Sequence, residues 1–491
     1  MFKKLLLQAD NISFTFGTRT LFEINKLEIY EGDRIGLVGL NGSGKSTLLR
    51  LLMGELEPGE GTIKMYGNPC YFAQLSEGTY QKADNRELSL FGVQELCDRD
   101  SISGGETTRL RLAELFSGSG SLYLIDEPTS HLDEKGLQYL NRRLWEIDSF
   151  ILVSHDRELL DQHCNTIIEI ENGKVNTYPG NYSEYCELKK QALQRASFEY
   201  EQYTEEVGRL NDAYHAKKEK AKKAVKKSKN MSSSEAKARE YGAVGKSIGG
   251  KSKSLERSAR NIKKRIEHLE VKEKPREIPK VRPIFDLTNP PQNPIIMETE
   301  DLSFSYPDGN EIFRNAIFRL PRGSRTVLMG DNGTGKTTLI NLILEGEKVR
   351  IVPKAKIGYL QQNLKNLSQT DTVLESTLKN SVQPINVARN ILARLLFTAS
   401  DINKPVSVLS GGERIRLAFA KIFVSDANVL VLDEPTNYLD IPSVEAIQEL
   451  LSEYEGTMLL VSHDRTFVKA IATRVLSIRN KQIIEENLEI I

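Results

Sequence analysis

The residues Gly39-Leu40-Asn41-Gly42-Ser43-Gly44-Lys45-Ser46 form a complete phosphate-binding loop between an apolar run, RIGLV, and an amphipathic one, TLLRLL. Glycines let successive backbone N–H groups turn toward an anion, at the positive end of the helix that follows. Gly39, Asn41, Gly42 and Gly44 would shape the cradle, and Lys45 would reach the β- and γ-phosphates of ATP. The Ser46 hydroxyl would ligate Mg²⁺. Farther on, SLYLIDEPTSHLD sets Asp126 and Glu127 at the end of an apolar run. Asp126 can hold the Mg²⁺ shell, and Glu127 can polarise the water that attacks a phosphoanhydride. Adjacent carboxylates can also merely cap a helix, but the phosphate loop upstream favours hydrolysis.

Two further groups belong with these. Ser103-Gly104-Gly105-Glu106 opens the helical run TTRLRLAELF. Ser-x-x-Glu alone is a capping box, yet the two glycines bare a helix N-terminus to an anion. FILVSHDRELL places His155 just past another apolar run. A lone histidine is more often structural than catalytic, and its position relative to Glu127 tips the balance toward function.

The whole set occurs twice, which is an internal repeat. Gly330-Asp331-Asn332-Gly333-Thr334-Gly335-Lys336-Thr337 is a second phosphate loop, and Leu409-Ser410-Gly411-Gly412-Glu413 matches the Ser-Gly-Gly-Glu run. Asp433 and Glu434 stand in VLVLDEPTNYLD, and His463 in LLVSHDR. From signature serine to glutamate the distance is 24 residues in both copies. The expectation is two ATP sites, each with its own Mg²⁺.

Strand ends and helix starts must hold these groups. Leu122–Ile125 reads as a buried parallel strand, and Asp10 to Tyr30 alternates apolar and polar residues as strands do. The fold class is therefore α/β, with two similar domains, 1–182 and 295–491. Between them, 183–294 has a different pattern. Leu193, Ala196, Tyr200, Tyr203, Val207, Leu210 and Tyr214 recur at spacings of three and four, as do Leu255, Ala259, Ile262, Ile266 and Leu269. Glycine- and serine-rich sequence separates the two seams, so the spacing predicts a helical hairpin with its tip at about 229–251. A helix of about 45 residues would be ~65 Å long, so the hairpin should protrude.

The hairpin is also basic. Between Ala213 and Arg265 stand 18 Lys and Arg against 4 Asp and Glu, although the whole chain nets zero. A basic protrusion on an acidic body suits a polyanion, nucleic acid above all. A merely solvated helical surface would carry mixed signs. Lys222, Lys223, Lys226, Lys227, Lys229, Lys246 and Lys251 are candidate phosphate contacts, and Tyr241 could stack on an exposed base.

Composition narrows the setting. At 491 residues the chain needs two or three domains, and 39% hydrophobic with 27% charged residues is normal for a protein with large cores. The four cysteines, Cys70, Cys97, Cys164 and Cys186, form no CxxC pair, so neither a zinc site nor a disulfide framework is suggested. A reducing cytoplasm fits. No apolar run approaches the ~18 residues that span a bilayer, and the N-terminal MFKKLLLQADN is too short for a signal peptide.

The Ser-Gly-Gly-Glu signature, DEPT and SHD, in this order after a phosphate loop, resemble the ATP-binding-cassette (ABC) ATPases. That resemblance implies that Gln74 in YFAQ and Gln362 in GYLQQ touch Mg²⁺ and the attacking water, that Phe16 and Tyr306 stack on adenine, and that Thr47 and Thr338 join the nucleotide set. Two departures stand out: tyrosine is more usual than Phe16, and leucine than Ile102. The resemblance also implies sites built from the phosphate loop of one cassette and the signature of the other. Lys45, Gln74, Asp126, Glu127 and His155 would close against Ser410 and Gly412; Lys336, Gln362, Asp433, Glu434 and His463 would close against Ser103 and Gly105. Glutamine and signature serine stand 29 residues apart in the first copy and 48 in the second, so the first has lost most of a helical subdomain or insertion.

Two cassettes joined by a long basic α-helical hairpin, with Gly180-Asn181-Tyr182-Ser183 leading into it, resemble the ABC-F proteins, which bind ribosomes. The short first cassette, the long linker and the lack of a C-terminal extension resemble that family's antibiotic-resistance branch. The resemblance implies a monomer whose two cassettes close on each other, with the hairpin in the exit-tRNA site beside 23S ribosomal RNA and the peptidyl-site tRNA. Its tip would displace pleuromutilins, lincosamides or streptogramin A from the peptidyl-transferase centre. Neither membrane nor DNA is an expected partner. Rival readings are a general translation factor, the ATPase subunit of a transporter with a separate membrane protein, and a DNA-repair ATPase; the last usually carries zinc modules or longer coiled coils.

Overall fold

Parallel strands buried on both faces read as unbroken apolar runs, and such runs form the centre of both cassettes in the computed structural model of the chain. It describes residues 3–16, 19–73, 83–94, 104–129, 132, 134–171, 173–229, 248–272, 274, 281–307, 309–330, 333–360, 367–437, 439–462 and 464–488, with backbone alone at 19, 104, 134, 224–229 and 248–252.

In the first cassette, β1 (Leu5–Phe16) and β2 (Arg19–Tyr30) pair antiparallel, as their alternation predicts. They are followed by β3 (Arg34–Gly39), α1 (Lys45–Met53), β4 (Glu60–Met65), β5 (Pro69–Phe72), α2 (Asn85–Leu90), α3 (Gly104–Ser117), β6 (Leu122–Asp126), α4 (Glu134–Glu146), β7 (Phe150–Val153), α5 (Arg157–His163), β8 (Thr166–Glu171) and β9 (Lys174–Pro179). The nine strands make one sheet in the order β4-β1-β2-β9-β8-β3-β7-β6-β5. β6 and β7 are buried throughout, and α1 packs Leu48, Leu49, Leu51 and Leu52 into the core above the sheet.

The second cassette repeats the plan. β10 (Ile295–Ser305), β11 (Glu311–Pro321) and β13 (Arg350–Ile351) form a separate three-stranded sheet. β12 (Arg325–Met329), β14 (Ile357–Leu360), β15 (Val429–Asp433), β16 (Thr457–Val461), β17 (Arg474–Arg479) and β18 (Gln482–Glu486) form a six-stranded one, in the order β14-β15-β16-β12-β17-β18. Its helices are α8 (Lys336–Glu345), α9 (Val373–Leu378), α10 (Ile385–Arg394), α11 (Gly411–Val424), α12 (Ile441–Glu453) and α13 (Arg465–Ile471). The helices α9 and α10 lie between Gln362 and Ser410; in the corresponding interval of the first cassette the described residues, 83–94, form the short α2. The stretch before β10 packs on the same cassette: Gln383 bonds both backbone groups of Ile284, and Asn428 donates to Thr288 O.

Residues 186–277 form a unit of their own. The long helix α6 (Tyr182–Lys229) leads into it, and α7 (Ile248–Glu267) is its second helix. They run antiparallel, with Lys217 donating to Ser258 (2.6 Å), Arg265 to Glu206 (3.2 Å) and Lys272 paired with Glu199 (3.5 Å). Small side chains allow close approach: Ala221 and Ala259 are buried, as is Leu210. Two expectations need correction. Leu193 and Ala196 are exposed, because the register that sets 206 against 265 carries them past the end of α7 at Glu267. The tip ends before Ile248 rather than at Lys251, since α7 runs through Gly249 and Gly250. Propensity is a weak prior that tertiary context overrides.

Candidate functional site

The strand register sets the catalytic candidates level with one another. Asp126 lies opposite Val153, and Asp433 opposite Val461, at the carboxyl ends of their parallel strands, where ligands of open α/β sheets bind. The phosphate loops run from β3 into α1 and from β12 into α8. Each helix is capped by a left-handed glycine, Gly44 (φ 102°) and Gly335 (φ 106°), with no side-chain cap. No other residue fits: a Cβ on Gly335 would come within 2.3 Å of Ile312, and one on Gly44 within 2.9 Å of the Phe22 ring. First-turn amides are thus left to an anion.

The two lysines fold over their own loops. Lys45 donates to Gly39 O (2.8 Å) and Leu40 O (3.2 Å), and Lys336 to Gly330 O (2.6 Å). Beside them, Ser46 hydrogen-bonds Asp126, and Thr337 donates to Asp433 Oδ2 at 3.3 Å. Burial raises both aspartates from their ordinary value, against the pull of those hydroxyls and of the lysines. Glu127 and Glu434 follow at φ 51° and 48°, left-handed values rare outside glycine. Strain of this kind clusters at functional sites.

Glu127 faces His155. Their Oε1 and Nε2 atoms stand 3.1 Å apart, yet outside hydrogen-bond geometry, so Glu127 Oε1 is buried without a hydrogen bond. Burial pushes the carboxyl up to about 8, against Lys45 and with help from Asp126. Burial also pushes His155 down to about 4, and Lys45 adds to that. The Lys45 ammonium is itself lowered by burial, opposed by Glu127, Asp440 and Asp126.

One cavity of about 1160 Å³ gathers these groups from both cassettes. Its lining brings Lys45, Ser46, Thr47, Asp126, Glu127 and His155 together with Ser410 and Gly412, and continues past Tyr306, Lys336, Thr337, Thr338, Asp433 and Glu434. Asn41, Gly42, Gly44, Gly333 and Gly335 line it too; Gly39, Gly330, Gly105 and Phe16 do not, and Phe16 is 75% exposed. Ser410 is at once the cap of α11, in a full capping box with Glu413, and part of the cavity wall. Gln74, Ser103, Asn332, Gln362 and His463 lie outside the described residues, as do Tyr241, Lys246 and the side chains of Lys226, Lys227, Lys229 and Lys251. Lys222 and Lys223 are exposed.

Sequence reasoning passed over Asp440. Its Oδ2 accepts from the Asn41 N–H at 2.6 Å, across the two cassettes, while its Oδ1 caps α12 through Ser443 N–H. A signal was present: an aspartate six residues after the glutamate closes both DEPTSHLD and DEPTNYLD.

The donor set fits ATP with magnesium. Asp126 Oδ1 and Glu127 Oε1 are buried without hydrogen bonds, opposite an ammonium and an uncapped helix start. A carboxylate and a hydroxyl are what Mg²⁺ takes from proteins when phosphates complete its shell. Among the described residues no helix is long and apolar enough to cross a membrane.

The chain is similar to known proteins. The family model described as ABC transporter matches residues 22–90 and 313–437, and a second model of that description matches 168–244. The chain is 32% identical to the ribosome protection protein VmlR of Bacillus subtilis, over 98% of this chain and 88% of that protein. It is 33% identical to the erythromycin resistance ATP-binding protein MsrA of Staphylococcus epidermidis, over 94% of this chain and 95% of that one. Among solved structures, one titled RNase-L Inhibitor superposes with a TM-score of 0.63 at 18% identity, covering 97% of this chain and 90% of that chain, a likeness of fold.

Proposed function

This chain belongs to the ABC-F family of ATPases, and from that premise we propose that it binds the ribosome in its ATP form and dislodges antibiotics from the peptidyl-transferase centre, with hydrolysis releasing it. The observation that carries the reading is the helical unit with its run of lysines, joined to two cassettes whose nucleotide groups share one cavity. The names of two relatives support it, one a ribosome protection protein and the other an erythromycin resistance protein.

At each site the chain's own groups have separate tasks. Lys45 and Lys336, with the loop amides, hold the phosphates. Magnesium, when bound, spreads the charge of the β- and γ-phosphate oxygens, and Ser46, Asp126 and Gln74 would hold it in one site, Thr337, Asp433 and Gln362 in the other. Glu127 and Glu434 accept a hydrogen bond from the attacking water. A carboxyl raised toward neutrality suits a group that takes up a proton near its working pH. His155 and His463 border the reacting phosphate. Ser410 and Gly412 close the first site, and Ser103 and Gly105 the second. Phe16 and Tyr306 stack on adenine. ATP thus bridges two surfaces that part after hydrolysis. Along the hairpin, the lysines anchor to the 23S ribosomal RNA backbone, next to the peptidyl-site tRNA, and Tyr241 stacks on a base.

The test replaces residues 236–249 with a short Gly-Ser turn. ATP turnover and ribosome co-sedimentation should stay within about twofold of wild type, whereas growth under a pleuromutilin, a lincosamide or erythromycin should fall to that of cells lacking the protein. Full protection by the shortened protein, at equal expression, would leave a general translation factor as the better reading. Co-purification with a membrane protein instead of ribosomes would favour a transporter subunit.

A further inference from the structure

The helix α12 touches three places that the proposed reaction leaves unconnected. Its cap, Asp440, bonds the first phosphate loop at Asn41. One turn on, Glu445 Oε1 accepts from the Tyr182 hydroxyl at 3.3 Å and lies 3.8 Å from Arg157 Nη1. Arg157 also donates to Gln448 Oε1 at 3.0 Å. At the far end, Glu453 accepts from the buried Arg394 at 2.7 Å and pairs with Arg282 at 3.5 Å, while Arg394 also donates to Val281 O.

These partners have a common meaning. Asn41 belongs to the first phosphate loop, and Arg157 stands two residues after His155. Tyr182 is the first residue of α6, and 281–282 lie where the chain has returned from the hairpin. A single helix of 13 residues, about 20 Å long, therefore meets the first nucleotide site, the residue where the hairpin's chain begins and the stretch that follows its return. The matching positions of α4 in the first cassette are Gln138 and Asn141. A carboxylate is missing there, and Asn141 is engaged with His163 of its own cassette.

We propose that Glu445 is a positioning residue that ties the first turn of α6 to closure of the first nucleotide site, and not of the second. When the cassettes meet around ATP at Lys45, α12 comes up against Arg157 and Tyr182 together, because both share one carboxylate. When they part, Tyr182 loses that anchor. A ligand shifts an equilibrium only through contacts that differ between two states, and this hydrogen bond is such a contact. The device needs ATP binding alone, so it stands or falls apart from the identity of the hairpin's partner.

Amide hydrogen exchange on the full chain tests it, in the Glu127→Gln/Glu434→Gln background that holds ATP. Adding ATP with Mg²⁺ should slow exchange in residues 182–190 by about fivefold, the low end of measured couplings. Tyr182→Phe removes one oxygen from a packed ring, so the fold should keep its melting temperature. This variant should lose most of the slowing, with ATP affinity within about twofold. Glu445→Ala should lose it as well, and Glu445→Gln, whose amide oxygen still accepts from the tyrosine, should recover part of it. Full ATP-dependent slowing in folded Tyr182→Phe would overturn the proposal.

Discussion

Asn41 and Asp440 stand 399 positions apart, and a 2.6 Å hydrogen bond joins the backbone amide of one to the carboxylate of the other. The same carboxylate caps α12, so its two roles can be separated by substitution. Asp440→Ala should cost about 1 kcal/mol of stability from the lost cap and slow ATP turnover about tenfold. Asp440→Ser should restore the urea midpoint, because serine caps well, but its side chain is too short to keep both contacts. Wild-type phosphate release by Asp440→Ser would mean that the link across the cassettes has no part in turnover.

Replacing Glu127 and Glu434 together by glutamine should keep ATP bound and reduce hydrolysis by about a hundredfold or more, the usual worth of a positioned base. The double variant should stay on ribosomes and inhibit translation in vitro. Single-turnover phosphate release at the wild-type rate would move the role of these carboxylates elsewhere.

The raised Glu127 pKa has a pH signature. Folded, the carboxyl holds its proton up to about 8; unfolded, it releases it near the ordinary value of about 4.3. Between those limits the native state binds more protons, so stability falls as pH rises. His155 works in the opposite sense at lower pH: its value of about 4 leaves the unfolded state holding more protons, so stability falls as pH drops from 6.5 toward 4. The clean window is therefore pH 6.5 to 8. Without nucleotide, Glu127→Gln should gain on wild type across it by on the order of 1 kcal/mol. Thermal melts at both ends of the window measure this, and an equal gap at the two pH values would contradict it.

Replacing Lys222, Lys223, Lys226 and Lys227 by glutamine should weaken ribosome binding and flatten its dependence on salt, since each lost phosphate contact releases fewer counterions. Nucleotide affinity of the isolated protein should hardly change. An unchanged slope of log affinity against log salt would mark these lysines as solvated side chains only.

What could be read in advance depended on range. The phosphate loops, the carboxylate pairs and His155 are contiguous motifs, and their strands announce themselves as apolar runs such as LYLID and FILV. The meeting of Lys45 with Ser410 in one cavity came from family resemblance, since no local pattern links residues so far apart. Asp440 escaped for the same reason: a capping aspartate is common, and only the fold sets its second oxygen against Asn41. The exposure of Leu193 and Ala196 depended on the register of the opposite helix, which a seam of threes and fours does not encode.

The left-handed backbone at Glu127 and Glu434 bears on how these proteins would respond to selection. Glycine or asparagine at φ 51° and 48° would relieve the backbone, and either would also take a desolvated carboxyl out of the first site. A library screened for heat resistance alone should accumulate such changes, and its winners would be robust proteins unable to turn over ATP. On the function proposed above, survival under drug would remove the same variants. The two glutamates are thus positions at which a thermostability screen and a resistance screen pull in opposite directions, and sequencing both pools would find them without any assay of hydrolysis.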